Sequence, residues 1–211
     1  MKGIFITFEG VEGCGKSTQI NLLQAHLESR GHPVEVTREP GGTALAEAIR
    51  ALLLDPANAG LRPTAELLLY EAARAQHVEE RIRPALDAGK IVLCDRFADS
   101  STAYQGAGRN LPWGAVLRLH EFATGGIGPD LTIVIDVSPS VGLERARRLG
   151  HPDRLEREPL EFHERVRAGF LRVARDDPKR VKVVDGMQSI QAVAADVNRW
   201  VDALVGQAGA R

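Results

Sequence analysis

Residues 3–18, GIFITFEGVEGCGKST, constrain the fold of this 211-residue chain more than any other stretch. Gly3 to Phe8 is a short apolar, β-branched and aromatic run, suited to a strand buried on both faces. It leads into Gly10-x-x-x-x-Gly15-Lys16-Ser17, a glycine-rich turn that opens a helix. Glycines at 10, 13 and 15 free the backbone to aim successive N–H groups at one anion. The helix adds further free N–H groups and the positive end of its dipole. Lys16 supplies a point charge for the outer phosphates and Ser17 a hydroxyl for Mg²⁺, while Cys14 reads as a small filler. A strand, this turn and a helix in succession predict a nucleotide-phosphate loop over Gly10–Thr18.

The rest of the chain alternates in the same manner. Ser17 to Arg30 carries a helical stripe of Ile20, Leu23 and Leu27, and Pro33 to Arg38 reads as a second strand. That makes a βαβ unit and sets the sheet parallel. Lys90–Cys94, Leu131–Asp136 and Val181–Val184 are three more apolar runs of strand length. Between them helices are expected over Ala44–Leu54, Thr64 to about Ala88 with Pro84 as a bend, Pro112–Ala123, Pro139 to about Arg148, and Leu160–Arg175. A last stripe runs from Ile190 to Leu204, and Trp113 and Trp200 read as packing residues. Five strands and no internal repeat or linker predict one three-layer α/β domain over residues 1–211.

Bulk properties narrow the function classes. With 44% hydrophobic and 26% charged residues a proper core is within reach. A net charge of −1 argues against bulk electrostatic binding to nucleic acid or anionic membrane. No stretch approaches the ~20 apolar residues that span a bilayer. Two cysteines without a CxxC point to a reducing compartment, and six histidines without helical spacing offer no zinc site. The expectation is a cytoplasmic protein.

In an open parallel sheet, ligands gather at the carboxyl ends of the strands. Glu9 and Glu12 with the loop, Arg38 and Glu39 before Gly41-Gly42, Asp95-Arg96, Asp136, and Asp185-Gly186 fall there. Asp95 and Asp136 both end apolar strands and either could hold Mg²⁺. Asp95 is favoured because Arg96 follows it, whereas Asp136 leads into Ser138-Pro139, which suits a helix start. Arginines at 145, 147, 148, 154 and 157 surround Gly150 and Pro152. Such a run is either a solvated helix face or, given the break, a lid over about 145–158 that brings positive charge to phosphates and excludes water. Arg74 lies one helical turn after Tyr70. A surface salt bridge with Glu71 or with the neighbours of Val78 is its default, and stacking and hydrogen bonding to a planar base is the alternative.

These residues resemble thymidylate kinases, nearly end to end. The resemblance is carried by Phe8-Glu9-Gly10-Val11-Glu12-Gly13, Thr37-Arg38-Glu39-Pro40-Gly41-Gly42-Thr43, Ala72-Ala73-Arg74, Asp95-Arg96-Phe97, Ala103-Tyr104-Gln105-Gly106 and Asp136-Val137-Ser138-Pro139. It implies a P-loop nucleoside monophosphate kinase fold with a five-stranded parallel sheet and a short lid. It implies transfer of the ATP γ-phosphoryl group to dTMP with Mg²⁺, and a homodimer. By that resemblance ATP lies on Gly10, Val11, Glu12, Gly13, Cys14, Gly15, Lys16, Ser17 and Thr18. The dTMP site would comprise Arg38, Tyr70 (usually Phe in the family), Arg74, Arg96, Ser101, Tyr104 and Gln105. Glu12 would sit by the sugar 3′-hydroxyl, Tyr104 would crowd the 2′ position, and Ser17 and Asp95 would serve the metal. Some members carry an arginine at the position of Gly13. Its absence here resembles the bacterial arrangement, in which the lid supplies the catalytic charge. Lys16, Arg96, Glu12 and Arg148 are then the catalytic expectations, with Arg145, Arg147 and Arg154 behind Arg148. The rivals are a deoxynucleoside kinase, which has less need of Arg38, and a P-loop switch without useful turnover.

Overall fold

The structure is a computed structural model that describes residues 3–148, 150 and 153–209. Five strands, β1 (Ile4–Glu9), β2 (Val34–Arg38), β3 (Ile91–Asp95), β4 (Leu131–Asp136) and β5 (Val181–Asp185), form one parallel sheet in the order β2-β3-β1-β4-β5. The register sets Phe8 and Arg38 each opposite Asp95, and Asp136 opposite Asp185. The strand ends singled out in the sequence therefore meet along one edge.

Helices cover both faces. α1 (Lys16–Glu28) and α9 (Ile190–Gly209) pack together on one side, where Ile20, Leu23, Leu27, Val193, Val197 and Val201 are buried with Ile6, Phe8 and Ile133. Phe5, Val92 and Cys94 point to the opposite face and meet Val78, Ile82 and Phe97. Burial on both faces explains why β1, β3 and β4 are continuous apolar runs, whereas the edge strands β2 and β5 carry Glu35 and Lys182 and are less buried. Between the strands run α2 (Ala44–Leu54), α6 (Trp113–Thr124), α7 (Pro139–Arg147) and α8 (Leu160–Asp176).

The long helix expected over 64–88 is three pieces in line: α3 (Pro63–His77), a π-helical turn Val78–Ile82, and α4 (Arg83–Asp87). Pro84 has no N–H and its ring crowds the carbonyl four residues back. The wide turn ahead of it, closed by Arg83 N–H on Val78 O, takes up that misfit.

The polar stretch after Arg96, for which no helix was expected, is helical: α5 (Ala98–Ser101) runs into a π-helical Thr102–Gly108. Its support is tertiary. A Cβ on Gly169 of α8 would lie 2.9 Å from Ala107 Cβ and 3.0 Å from Ala103 Cα, so small residues on both sides bring the two helices close. Trp200, expected as packing, is 37% exposed, with Lys182 and Arg199 over its ring. Ser138 makes no side-chain cap at the start of α7. Among the described residues, no helix is long and apolar enough to cross a membrane.

Candidate active site

The loop after β1 is built as its glycines require. Gly10, Gly13 and Gly15 have φ of 137°, 66° and 102°. Gly13 is also excluded from carrying a side chain by its neighbour, because its Cβ would stand 2.0 Å from the Gly142 carbonyl oxygen of α7. The arginine that the resemblance sets at this position in some members would have no room here. Lys16 Nζ folds back over the loop and donates to the carbonyls of Gly10 (3.3 Å) and Val11 (3.2 Å). Val11 and Cys14 are buried in the core beneath it.

Arg96 sits directly above this loop. Its φ of 71° is a conformation that costs a non-glycine residue about 1–3 kcal/mol and that tends to occur where function demands it. Its backbone N–H donates to Phe8 O, which ties the turn to β1. Its guanidinium donates to Gly10 O (2.9 Å), Ser100 Oγ (3.1 Å) and Glu12 Oε1 (3.2 Å), and lies 4.9 Å from the centre of the Tyr104 ring. The Tyr104 hydroxyl donates to the same Glu12 oxygen. Burial pushes the Glu12 carboxyl up, but the facing His163, the Arg96 charge and the Tyr104 hydroxyl outweigh it and bring it down to about 2. Glu9, beneath the loop, goes the other way. Burial and then the Asp99 charge raise it to about 8, against Arg96 and its bonds from Ser100 Oγ (2.5 Å) and Phe97 N–H (2.8 Å).

The far end of the cleft holds the other expected residues. Arg38 donates to Glu47 (3.0 Å) and to Pro40 O (3.2 Å), and Glu47 also accepts from the Gly42 N–H. Arg50 of α2 reaches Pro40 O beside it at 2.8 Å. The two guanidiniums are close enough that burial, together with the Arg38 charge, lowers the Arg50 pKa. Arg74 is not the surface residue expected by default. It is 1% exposed and donates to Glu39 (2.8 Å), Glu71 (2.7 Å), Phe97 O (3.1 Å) and Ser101 Oγ (3.0 Å). The pair with Glu71 does form, but inside the protein. Gln105 is buried and donates to Glu66.

Ser17 Oγ donates to Asp95 Oδ2 at 3.2 Å, so the two oxygens proposed for Mg²⁺ are adjacent. Asp136 is instead committed to both Nε and Nη2 of Arg167, each at 2.7 Å, as a two-pronged pair. Among the described residues no three His, Cys, Asp or Glu side chains are grouped to hold a metal. An oxygen pair of hydroxyl and carboxylate still fits Mg²⁺, which takes few protein ligands and completes its shell with phosphates and water.

The lid arginines separate. Arg148 and Arg145 line the cleft mouth, Arg148 being paired with Glu144 and Arg145 reaching Gly186 O at 3.5 Å. Arg147 is exposed and outside the cleft wall. Arg154 is 5% exposed and held from three sides: its N–H by Leu54 O, its Nε by Leu53 O (2.7 Å), and a terminal nitrogen by Glu66 (2.6 Å). Residues 149, 151 and 152 of the expected lid, Pro152 of its break among them, lie outside the described residues.

Most of the expected residues surround one cleft of about 870 Å³. Every expected dTMP-site residue lines it, as do Glu12 to Thr18, Asp95 and Arg148, whereas Gly10 and Val11 do not. The sequence reading missed Arg50, Asp153 and Glu156, which line it too. Arg50 was hidden in a helix read for its apolar stripe, although its place three residues after Glu47 was a signal. Asp153 and Glu156 were hidden between arginines. Asp153 Oδ1 accepts from the N–H groups of Leu155 (2.8 Å) and Glu156 (2.9 Å), and Glu156 accepts from the Asp153 N–H (3.1 Å), a reciprocal turn that presents Arg154.

Comparison with known proteins gives the family. The thymidylate kinase family model matches residues 8–197. A thymidylate kinase of Geobacter sulfurreducens is 54% identical over 201 residues, covering 92% of this chain and 94% of that protein. One from Symbiobacterium thermophilum is 52% identical over 200 residues, covering 94% and 92%. The crystal structure of thymidylate kinase from Ehrlichia chaffeensis matches with a TM-score of 0.78 at 36% identity, covering 96% of this chain and 99% of that one. The chain belongs to the thymidylate kinase family.

Proposed function

From that membership, we propose that this chain transfers the γ-phosphoryl group of ATP to dTMP, giving dTDP and ADP. One observation carries the reading: a single cleft has a phosphate-binding loop at one end, the Arg38–Arg50 pair at the other, and Arg96 hydrogen-bonded to the loop between them. A kinase with a phosphorylated acceptor needs anion sites for both substrates, and phosphoryl transfer needs chiefly alignment and positive charge.

In this proposal the loop N–H groups and Lys16 hold the ATP phosphates. Arg38 and Arg50 hold the dTMP phosphate, and Arg96 faces the group in transit. Tyr70 stacks on thymine, and the fixed Arg74 presents itself and Ser101 to the base edge. Glu12 meets the sugar, with Tyr104 filling the 2′ side. Ser17 and Asp95 would hold Mg²⁺, which would supply positive charge against the ATP phosphates. Residues 145–158 act as a lid over one α/β domain, with Arg148 or Arg145 bringing charge to the γ-phosphoryl group. Large apolar side chains left exposed on α2, α3 and α6, including Leu45, Leu52, Leu117 and an 87% exposed Phe122, support a homodimer through these neighbouring helices. We place the protein in the cytoplasm, without nucleic-acid or membrane partners.

The test is a screen of nucleoside monophosphates with ATP, run for the wild type and Arg38→Ala. Turnover should select dTMP. The variant should lose roughly 10- to 100-fold in kcat/KM for dTMP, the worth of a charge-assisted phosphate contact. An intact Arg38→Ala variant that phosphorylates thymidine itself would replace this reading with a nucleoside kinase.

A further inference from the structure

Glu12 spends one oxygen and not the other. Oε1 accepts from both Arg96 and the Tyr104 hydroxyl, whereas Oε2 is sealed from solvent and has no hydrogen-bond partner. Facing Oε2 is His163 of α8, whose Nδ1 lies 3.5 Å away. His163 is wholly buried, and neither of its ring nitrogens has a partner either. An orphaned donor site and an orphaned acceptor, each enclosed by protein, stand one small shift from a hydrogen bond. Buried polar groups without partners are rare enough that such a juxtaposition calls for a reason.

The fold brings them together by one device. The inward face of α8 is otherwise apolar, with Phe162, Val166 and Phe170. Gly169 lets α8 close on the helical segment that carries Tyr104. The same helix thus backs Tyr104 and carries His163, and both side chains converge on the loop carboxylate from different sides. A histidine among these phenylalanines fills no role that leucine would not fill better, unless its ring N–H is used.

We propose that His163 is a positioning residue, donating its Nδ1–H to Glu12 Oε2 and completing, with Arg96 and Tyr104, a three-donor cradle that aims Glu12 at the acceptor sugar. His163 itself touches no substrate. The proposal rests on the reading of Glu12 as the partner of the dTMP 3′-hydroxyl.

The experiment compares His163→Leu with His163→Asn, whose side-chain amide can stand where Nδ1 does. Each is assayed for thermal stability and for kcat/KM with dTMP and with 3′-deoxythymidine monophosphate. Loss of a bond to a charged group predicts a roughly 10- to 100-fold fall with dTMP for His163→Leu. The fall should be much smaller with the 3′-deoxy substrate, at unchanged or higher melting temperature. His163→Asn should recover most of the dTMP rate without being the more stable variant. Ring ¹⁵N shifts of the wild type should report a protonated, hydrogen-bonded Nδ1 that changes in Glu12→Gln. Equal losses on both substrates, asparagine no better than leucine, or a bare Nδ1 would overturn the proposal. If the wild type itself ignores the 3′-hydroxyl, the sugar role of Glu12 falls, and the asparagine-over-leucine order and the ring shifts still decide on His163.

Discussion

Arg154 is the residue that departs most sharply from both readings of the arginine run. As a mobile lid residue it would serve the phosphates, and Arg154→Ala would cost rate and little stability. Its surroundings say otherwise. Its side chain is 4% exposed, its Nε is bound to Leu53 O, and its terminal nitrogen pairs with Glu66, which is fully buried. Removing one partner of a buried ion pair costs about 3–5 kcal/mol, because a charge is stranded. Glu66 would keep Arg109 (3.1 Å) and Gln105 (2.9 Å), which puts the expectation at the low end, ~3 kcal/mol. For a chain of this size each kcal/mol moves the melting temperature by about 2–4 °C, so Arg154→Ala should lower it by roughly 6–12 °C. Thermal unfolding followed by circular dichroism, with urea unfolding as a check, measures this. A melting temperature within about 2 °C of wild type, together with a kcat lower by a hundredfold or more, would refute the anchoring argument.

Two further outcomes test other parts of the structure. The Glu9 carboxyl is raised from 4.5 to about 8, so between those values the unfolded chain ionises while the folded chain stays protonated. Wild-type stability should therefore fall as pH rises across that window and level off above it. Glu9→Gln, which mimics the protonated form, should gain on the wild type by a few kcal/mol over the same range, and parallel urea midpoints at pH 5, 6.5 and 8 would contradict the raised pKa. Gly13→Ala should destabilise more than Gly15→Ala. Both positions have positive φ, worth about 1–2 kcal/mol against alanine, but only at Gly13 would the new Cβ meet a carbonyl oxygen, whereas at Gly15 it meets nothing within 4 Å. Equal losses would mean that α7 yields at no cost.

Much of this molecule was legible because its signals are local. The central strands β1, β3 and β4 are apolar runs because both their faces are covered, and a parallel sheet sends the ends of its strands to one edge. Arg38, Asp95 and Arg96 could be placed at that edge for that reason, and Ser17 by the glycine-loop motif. What escaped depends on contacts between distant segments. The helical stretch 98–108 has no apolar period, since its helicity rests on Ala103 and Ala107 lying against Gly169. Helical spacing paired Arg74 with Glu71. It could not reveal that Glu39, on a turn 35 residues away, and Ser101 would enclose the guanidinium. Arg154 was counted with its arginine neighbours because Glu66, its partner, lies 88 positions earlier and is silent as a lone acidic residue on a helix.

The pinning of Arg154 also sets a leash. On the other side of the proposed lid, α7 abuts the phosphate loop at Gly142, against the Glu12 carbonyl. Six peptide units separate Arg148, at the end of α7, from Arg154. Six peptide units fully stretched reach about 20–22 Å. One mooring stands on the glycine loop and the other on α2 and α3. If residues 145–158 serve as the proposed lid, these moorings confine its closure to the reach of a short tether rather than the swing of a hinged flap. A ligand too tall for that slack would have to break the Arg154–Glu66 bond to be covered, so the leash acts as a gauge of what the enzyme can enclose.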